Sequence, residues 1–310
     1  MTWRLVERIV TRLLGALLTL LGASVIVFLM ANTIPADPVG AYVGPKADEE
    51  TRARVRAELG LDAPLWQQYL GYLGRLCRGD LGRSYITEEP VLEAIRIRFP
   101  ATLALSLGGL AIWVLLGVPL GVLTARYRNT PFDRATLIVA MVTISVPTFW
   151  LARLLQFELA YRLGWFPVAG LVSWQCLVLP CLTLGIVGFG YYARLVHSNM
   201  VEVLNLDYIR AARARGLSEP VVLFKHALRN AFLPVLTVLG MDTAALLGGV
   251  VFTESIFALP GLGQLALQAV LNLDVPMIMG TVLFSAALVV GMNLLVDVVY
   301  RFVDPRIKEV

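Results

Sequence analysis

Few residues in this 310-residue chain could do chemistry, and their spacing argues against most reactions. The three lysines, Lys46, Lys225 and Lys308, all lack the preceding glycine of a phosphate-cradling G-x-x-x-x-G-K-[ST] loop, so no Walker site for ATP is encoded. There is no H-E-x-x-H and no G-x-S-x-G, and His197 and His226 share one polar stretch instead of facing each other across a pocket. Cys77, Cys176 and Cys181 are too few for a disulfide framework, and Cys176 and Cys181 have no zinc-ligand or redox spacing. No catalytic residue, metal site or cofactor site is therefore expected in the chain itself. What remains is a pair of acids, Asp242 and Glu254, that interrupt an otherwise apolar run from Phe232 to Phe257.

That run matters because the whole chain is built for lipid. It is 58% hydrophobic and 15% charged, against about 45–50% and about 25% in soluble domains, and a mean hydropathy of +0.74 argues against an ordinary soluble enzyme. A bilayer core of about 30 Å needs about 20 apolar residues of helix. Leu13–Ile34, Phe99–Ala125, Ala135–Ala152, the part of Leu163–Ala193 from about Cys176, Phe232–Phe257 and Val275–Val296 make six expected transmembrane helices. Arginine and lysine near span ends set the orientation. Arg4, Arg8, Arg12, Arg126, Arg128, Arg134, Arg194, Arg210, Arg213, Arg215, Lys225, Arg229, Arg301, Arg306 and Lys308 gather on one side, with little beyond Arg153 and Arg162 on the other. The expected fold is an all-α polytopic membrane helical bundle with both termini cytoplasmic. The net charge of +4 is then mostly topology, and no nucleic-acid partner is expected. A cleaved signal peptide is the other reading of the first span, but the apolar run exceeds an h-region of about 7–15 residues and no A-x-A site closes it.

With span five entering from the cytoplasm near Phe232, Asp242 lies about 15 Å deep at 1.5 Å per residue, close to the midplane. Glu254 reaches the outer interface. A charge at a helix centre costs about 2.5–3.5 kcal/mol on insertion scales, whereas Asp297 and Arg153, near span ends, can snorkel. Two readings of Asp242 stay open: a hydrogen bond to a neighbouring helix, or a cavity-facing carboxylate on a transport path. Gly117 and Gly121 on span two, Gly185 and Gly188 on span four, and Gly248 and Gly249 on span five permit close helix contact.

Residues 1–34 thus form an N-terminal span, 35–98 an extracytoplasmic helical insertion, and 99–310 a five-helix core. In the insertion, Asp48 can cap a helix that Gly60 ends, and Asp62-Ala63-Pro64 opens another with Trp66, Tyr69, Leu70 and Leu73 on one face. Gly79-Asp80-Leu81-Gly82 is a turn, and Val91, Leu92, Ile95 and Phe99 form an apolar stripe running into span two. The stripes fit helices packed at the interface, and they also fit a docking platform for an external partner.

The cytoplasmic loop 199–231 carries two helical pieces. Asp207 to Arg215 is rich in alanine and arginine, Gly216 supplies a stop that tolerates positive φ, and Ser218-Glu219-Pro220 opens a second helix through Arg229. A short helix of this kind fits a groove on another protein or lies against anionic membrane lipid. Arg210-Ala211-Ala212-Arg213-Ala214-Arg215-Gly216, followed by Leu217, resembles the EAA loop of permease subunits in binding-protein-dependent ABC importers. The fuller string from Asp207 to Pro234 is similar to the dipeptide/oligopeptide/nickel permease class, although Arg210 replaces the motif's glutamate and Leu233-Pro234 comes later than in the general pattern. Ile34-Pro35-Ala36-Asp37-Pro38, Leu59-Gly60-Leu61-Asp62-Ala63-Pro64-Leu65, Gly79-Asp80-Leu81-Gly82-Arg83-Ser84, Gly248 to Glu254 and Pro260-Gly261-Leu262-Gly263 resemble the first permease type of that class.

The resemblance implies a permease subunit of a heteromeric importer in a bacterial or archaeal cytoplasmic membrane. It implies a second homologous permease subunit, two ATP-binding subunits that hold ATP and magnesium, and an extracytoplasmic substrate-binding protein. Arg210, Ala211, Ala212, Arg213, Arg215, Gly216 and Leu217 are then the ATPase-coupling residues, with Ala211 and Ala212 permitting close approach and Arg213 and Arg215 facing acidic groups of the ATPase. Asp242 and Glu254 are the candidates for the translocation path. Di- or oligopeptide is the implied cargo, with nickel or glutathione-like molecules as the alternative. A secondary transporter using Asp242 is the runner-up, but no second midplane acid or paired helix interruption is seen.

Overall fold

The computed structural model describes residues 2–33, 38–43, 48–58 and 62–303. Residues 34–37 and 59–61, which belong to two of the quoted motifs and include the helix stop expected at Gly60, lie outside the described residues, as do Lys46, Arg306 and Lys308. Among the described residues the regular structure is helical, with one isolated bridge between Arg83 and Pro90. The chain opens with α1 (Thr2–Thr33), whose Val10–Asn32 part is a membrane span. Three short helices of the insertion follow, α2 (Pro38–Val43), α3 (Glu49–Glu58) and α4 (Leu65–Leu76). Next come α5 (Val91–Arg126), the bent pair α6 (Pro131–Ser145) and α7 (Thr148–Arg162), and α8 (Trp174–Leu204). After the short α9 (Asp207–Ala214) lie α10 (Val221–Leu247), α11 (Val251–Ile256), α12 (Leu262–Leu271) and α13 (Val275–Val303). The helices α1, α5, α8, α10 and α13 can each cross a bilayer, and the bent pair makes the sixth span when counted as one.

Span three is not the straight run expected over Ala135–Ala152. α6 and α7 meet at 96°. The break is encoded at Val146-Pro147: a residue before proline is pushed out of the helical region, and Val146 sits extended at φ −76, ψ 125. By contrast α5 runs through Pro119 because the turn just before it, Trp113–Gly117, widens to a π-helix and absorbs the lost hydrogen bond.

Span five also differs from the expected Phe232–Phe257. It begins at Val221, so the second helix expected in the cytoplasmic loop is the base of this span rather than a separate piece. It ends at Leu247, where Gly248 and Gly249, the latter at φ +119, turn the chain. Ser285 Oγ donates to the Gly248 carbonyl at 3.0 Å. Since Ser285 lies ten residues into α13, the end of α10 is about 15 Å short of that helix's outer end. α11 and α12 fill the gap. Non-helical backbone at membrane depth is tolerated where it is buried in protein or lines a water-filled cavity; here Phe257, Leu259 and Gly261 are buried and Ala258 is exposed.

The core is an interlock of α5 and α8. A Cβ added to Gly117 would lie 2.9 Å from the Phe189 carbonyl, and one on Gly121 would lie 2.6 Å from the Ala193 carbonyl. Reciprocally, Gly185 makes room for Ile112 and Gly188 for the Trp113 indole, whose Nε1 donates to the Leu184 carbonyl at 2.7 Å. The glycines read from the sequence on spans two and four thus serve each other, whereas Gly249 packs against Gly263 rather than against another span.

The insertion docks through aromatics. Tyr69 and Tyr72 of α4 place their rings 5.3 and 6.0 Å from Phe28 of α1, and Ser24 shares a 2.9 Å hydrogen bond with Tyr69. Tyr72 is buried, while Trp66 and Leu70 of the expected stripe are exposed. Of the next stripe Val91 and Ile95 are buried as expected and Leu92 is not. Asp274 anchors the turn before α5 by accepting from Ser84 Oγ and, at 3.1 Å, from the Tyr85 N–H. On the opposite side Arg126 pairs with Glu219 at 3.4 Å, so the loops segregate into the two ends that the charge pattern requires.

Candidate functional site

α9 is eight residues long and begins where Leu206, extended, hands over to Asp207. Arg210 bonds back to Asp207 at 3.1 Å, an exposed pair one turn apart. At the other end Gly216 takes φ +80 and its N–H reaches the Arg213 carbonyl at 2.9 Å, a glycine-dependent stop. Ile209 and Ala212 are buried against Met200, Val222 and Ala227 of the helices around them. Ala211, Arg210, Arg215 and Leu217 face outward. The two alanines therefore have different jobs: Ala212 seats α9 on its own bundle, and only Ala211 is available to a partner.

Two clamps hold the seated helix. Asn230 Nδ2 donates to Tyr208 Oη at 2.6 Å, joining α9 to the base of α10. Glu219 accepts from Arg213 Nε at 2.8 Å and faces Arg126 Nε at 3.4 Å, joining α9 to the cytoplasmic end of α5. Arg213 thus has an ion-pair partner within the chain while remaining partly exposed, and Arg215 is exposed and makes no ion pair among the described residues. Nearby, His197 Nδ1 lies 3.1 Å from Thr124 Oγ1 and 3.5 Å from Asp133 Oδ1, tying α8 to α5 and α6 at the same end. Glu219, Arg126, Tyr208 and Asn230 were not singled out as site residues from the sequence. Partly exposed ion pairs contribute about 0–1 kcal/mol, so their value is geometric. Glu219→Ala is expected to leave the melting temperature within about 3 °C of wild type while lowering uptake per ATP about two- to five-fold, an effect of about 1 kcal/mol or less. Parallel uptake and phosphate-release measurements check it.

The two acids fare differently. Tyr192, fully buried on α8 with its ring stacked on Trp113 at 5.3 Å, donates its hydroxyl to Asp242 Oδ2 at 2.7 Å. Tyr192 is twelve residues from the cytoplasmic end of α8, about 18 Å, so Asp242 remains at membrane depth although α10 starts earlier than expected. Glu254 is not at a solvated interface but fully buried. Its Oε1 accepts from Thr102 Oγ1 at 2.7 Å and its Oε2 from the Gln264 N–H at 2.9 Å, while Thr102 Oγ1 accepts the Leu262 N–H at 2.8 Å. Two orphan N–H groups of the first turn of α12 are satisfied this way, and the carboxylate lies directly against Gly261. In this structure Glu254 serves as a buried cap of α12.

A polytopic helical bundle with a short helix clamped onto two spans at its cytoplasmic end is the architecture of a membrane transport subunit. The chain belongs to the family described as binding-protein-dependent transport system inner membrane component, whose model matches residues 117–309, and the N-terminal model of the same systems matches residues 5–106. It is 42% identical, over 97% of its length and 98% of the relative's, to a putative peptide transport system permease protein of Brucella abortus (strain 2308). It is 40% identical, with the same coverage, to the glutathione transport system permease protein GsiC of Escherichia coli O6:H1. A chain of the MetNI methionine ABC transporter, from an inward-facing crystal form, shares the fold with a TM-score of 0.59 at 21% identity, covering 70% of this chain and 99% of its own. The protein is a multi-pass inner-membrane permease of an ABC importer, and the family implies ATPase and substrate-binding partners.

Proposed function

We propose that this subunit imports di- or oligopeptides and is driven through α9. Its partners are a second homologous permease, two ATP-binding subunits that carry ATP and magnesium, and an extracytoplasmic binding protein that selects cargo. The observation that carries the coupling role is the double clamp on α9. A helix seated by Ile209 and Ala212 and tied at Tyr208 to α10 and at Arg213 through Glu219 to α5 cannot move without carrying both spans. Arg210, Ala211, Arg215 and Leu217 form the face offered to the ATPase, Gly216 sets the bend, and Arg213 and Ala212 hold the lever to the bundle. Peptide cargo is supported by the relatives named as peptide and glutathione permeases. The chain itself performs no catalysis in this reading. The test is to purify the complex with its binding protein, identify the ligand that co-purifies, and measure ATP-dependent uptake of tripeptide, glutathione and Ni²⁺ in proteoliposomes. Uptake of peptide dominating is the expected result. Nickel as the preferred cargo, or uptake driven by an ion gradient without ATP, would replace this reading.

A further inference from the structure

Building on the reading of this chain as a peptide permease, we propose that Asp242 recognises the primary ammonium of the cargo on the transport path and that Tyr192 positions it. The first observation is a contrast between exposed faces at membrane depth. α1 exposes Leu13, Leu17, Leu18 and Ile26, and α6 exposes Ile138, Val139 and Val142, side chains suited to lipid tails. From Asn230 outward, α10 instead exposes Asn230, Pro234, Met241 and Ala245, with Leu233, Leu236, Thr237 and Asp242 half-exposed beside them, so that Met241 is the one large apolar group fully exposed there. The neighbouring α13 is mixed at this height: Gly240 packs against Val296, and the exposed residues around it are Val289, Gly291, Asn293, Leu295 and Val298. The α10 face, at membrane depth and with one fully exposed large apolar group, is suited to a water-filled path or a protein partner rather than to lipid.

The second observation is the state of the carboxylate. Tyr192 holds Oδ2 at 2.7 Å and is itself immobilised by full burial and by its stack on Trp113. Oδ1 accepts no hydrogen bond and Asp242 makes no ion pair among the described residues, and the side chain is not sealed from solvent. An oriented carboxylate with one free oxygen at membrane depth needs a cation. A peptide's N-terminal ammonium supplies the charge together with three N–H donors. A lysine or arginine of the second permease is the other source of the same chemistry, and the two have different consequences.

The test uses the full complex with its binding protein in proteoliposomes and compares uptake of trialanine with uptake of N-acetyl-trialanine, each variant scored against wild type so that any preference of the binding protein cancels. Asp242→Asn is expected to lower trialanine uptake at least ten-fold and leave N-acetyl-trialanine uptake within two-fold. Asp242→Glu should retain most of the selectivity, and Tyr192→Phe should weaken it. Equal loss for both peptides, or a complex that no longer assembles in Asp242→Asn but does in Asp242→Glu, assigns the counter-charge to the partner permease and overturns the proposal. An unchanged selectivity in Asp242→Asn overturns it as well. Wild-type complex that takes up neither peptide refutes the cargo reading and the site with it, whereas the other failures refute the site alone.

Discussion

Replacing Glu254 with alanine is expected to lower the melting temperature of the solubilised protein by roughly 6–12 °C and to abolish uptake. The carboxylate is fully buried and accepts from Thr102 Oγ1 and from the Gln264 N–H. Alanine strips the acceptor from both donors and leaves a hole where the side chain filled the space against Gly261. Leaving two buried donors without their acceptor costs on the order of 3 kcal/mol, and in a chain of this size each kcal/mol moves the melting temperature by about 2–4 °C. The structural consequence is local: α12 loses its N-terminal cap, and with it the segment that completes the outer half of span five. A second variant isolates the cause. Gly261→Ala places a methyl group into the carboxylate and is expected to be nearly as damaging, yet in the Glu254→Ala background the same methyl occupies vacated space. The double variant should therefore melt no lower than Glu254→Ala alone, a non-additivity of 1 kcal/mol or more, as direct neighbours show. Additive losses, or a Glu254→Ala protein that melts like wild type, would show that this contact does not hold the re-entrant segment.

The contrast between the two acids also shows where the sequence was readable and where it was not. Spans one, two, four and six are uncharged runs bounded by charged residues, and the helices lie where those runs do, because hydrophobic length is a property of the local chain. Pro147 and Gly248-Gly249 sit inside equally apolar runs. A count of apolar residues does not register them, yet one bends span three by 96° and the other ends span five at mid-membrane. The burial of Glu254 is hidden for the same reason: a continuous helix through Phe257 leaves its side chain free at the outer end, whereas the break at Gly249 turns it inward onto protein. Its partner Thr102 is 152 residues away, a separation that no local pattern reports. In the cytoplasmic loop the extent of α9 and its stop at Gly216 were legible from composition. The inward turn of Ala212 was also present in the sequence, since Ile209 and Ala212 are three apart and share a helix face. The tie from Arg213 through Glu219 to Arg126 was not, because it joins two loops.

Gly216→Leu is expected to separate ATP hydrolysis from transport, leaving hydrolysis by the assembled complex within about two-fold of wild type while uptake falls by ten-fold or more. No steric block is involved, for a Cβ at this position meets nothing within 4 Å. The difficulty is the backbone: at φ +80 a leucine costs about 1–2 kcal/mol, and the chain relieves that strain by leaving the left-handed conformation. Relief comes at the expense of the stop that turns α9 back toward Glu219, so the Arg213–Glu219–Arg126 tie is lost while the outward face of α9 can still dock. The ATPase would then move a helix no longer fastened to α5. Asparagine tolerates the left-handed region far better than a branched apolar residue, so Gly216→Asn should retain coupling although its side chain is nearly as bulky. Two other outcomes discriminate. Equal loss of coupling in both variants would trace the effect to bulk at the ATPase contact rather than to the bend. Normal coupled uptake in Gly216→Leu would remove α9 and its clamps from the role of the lever.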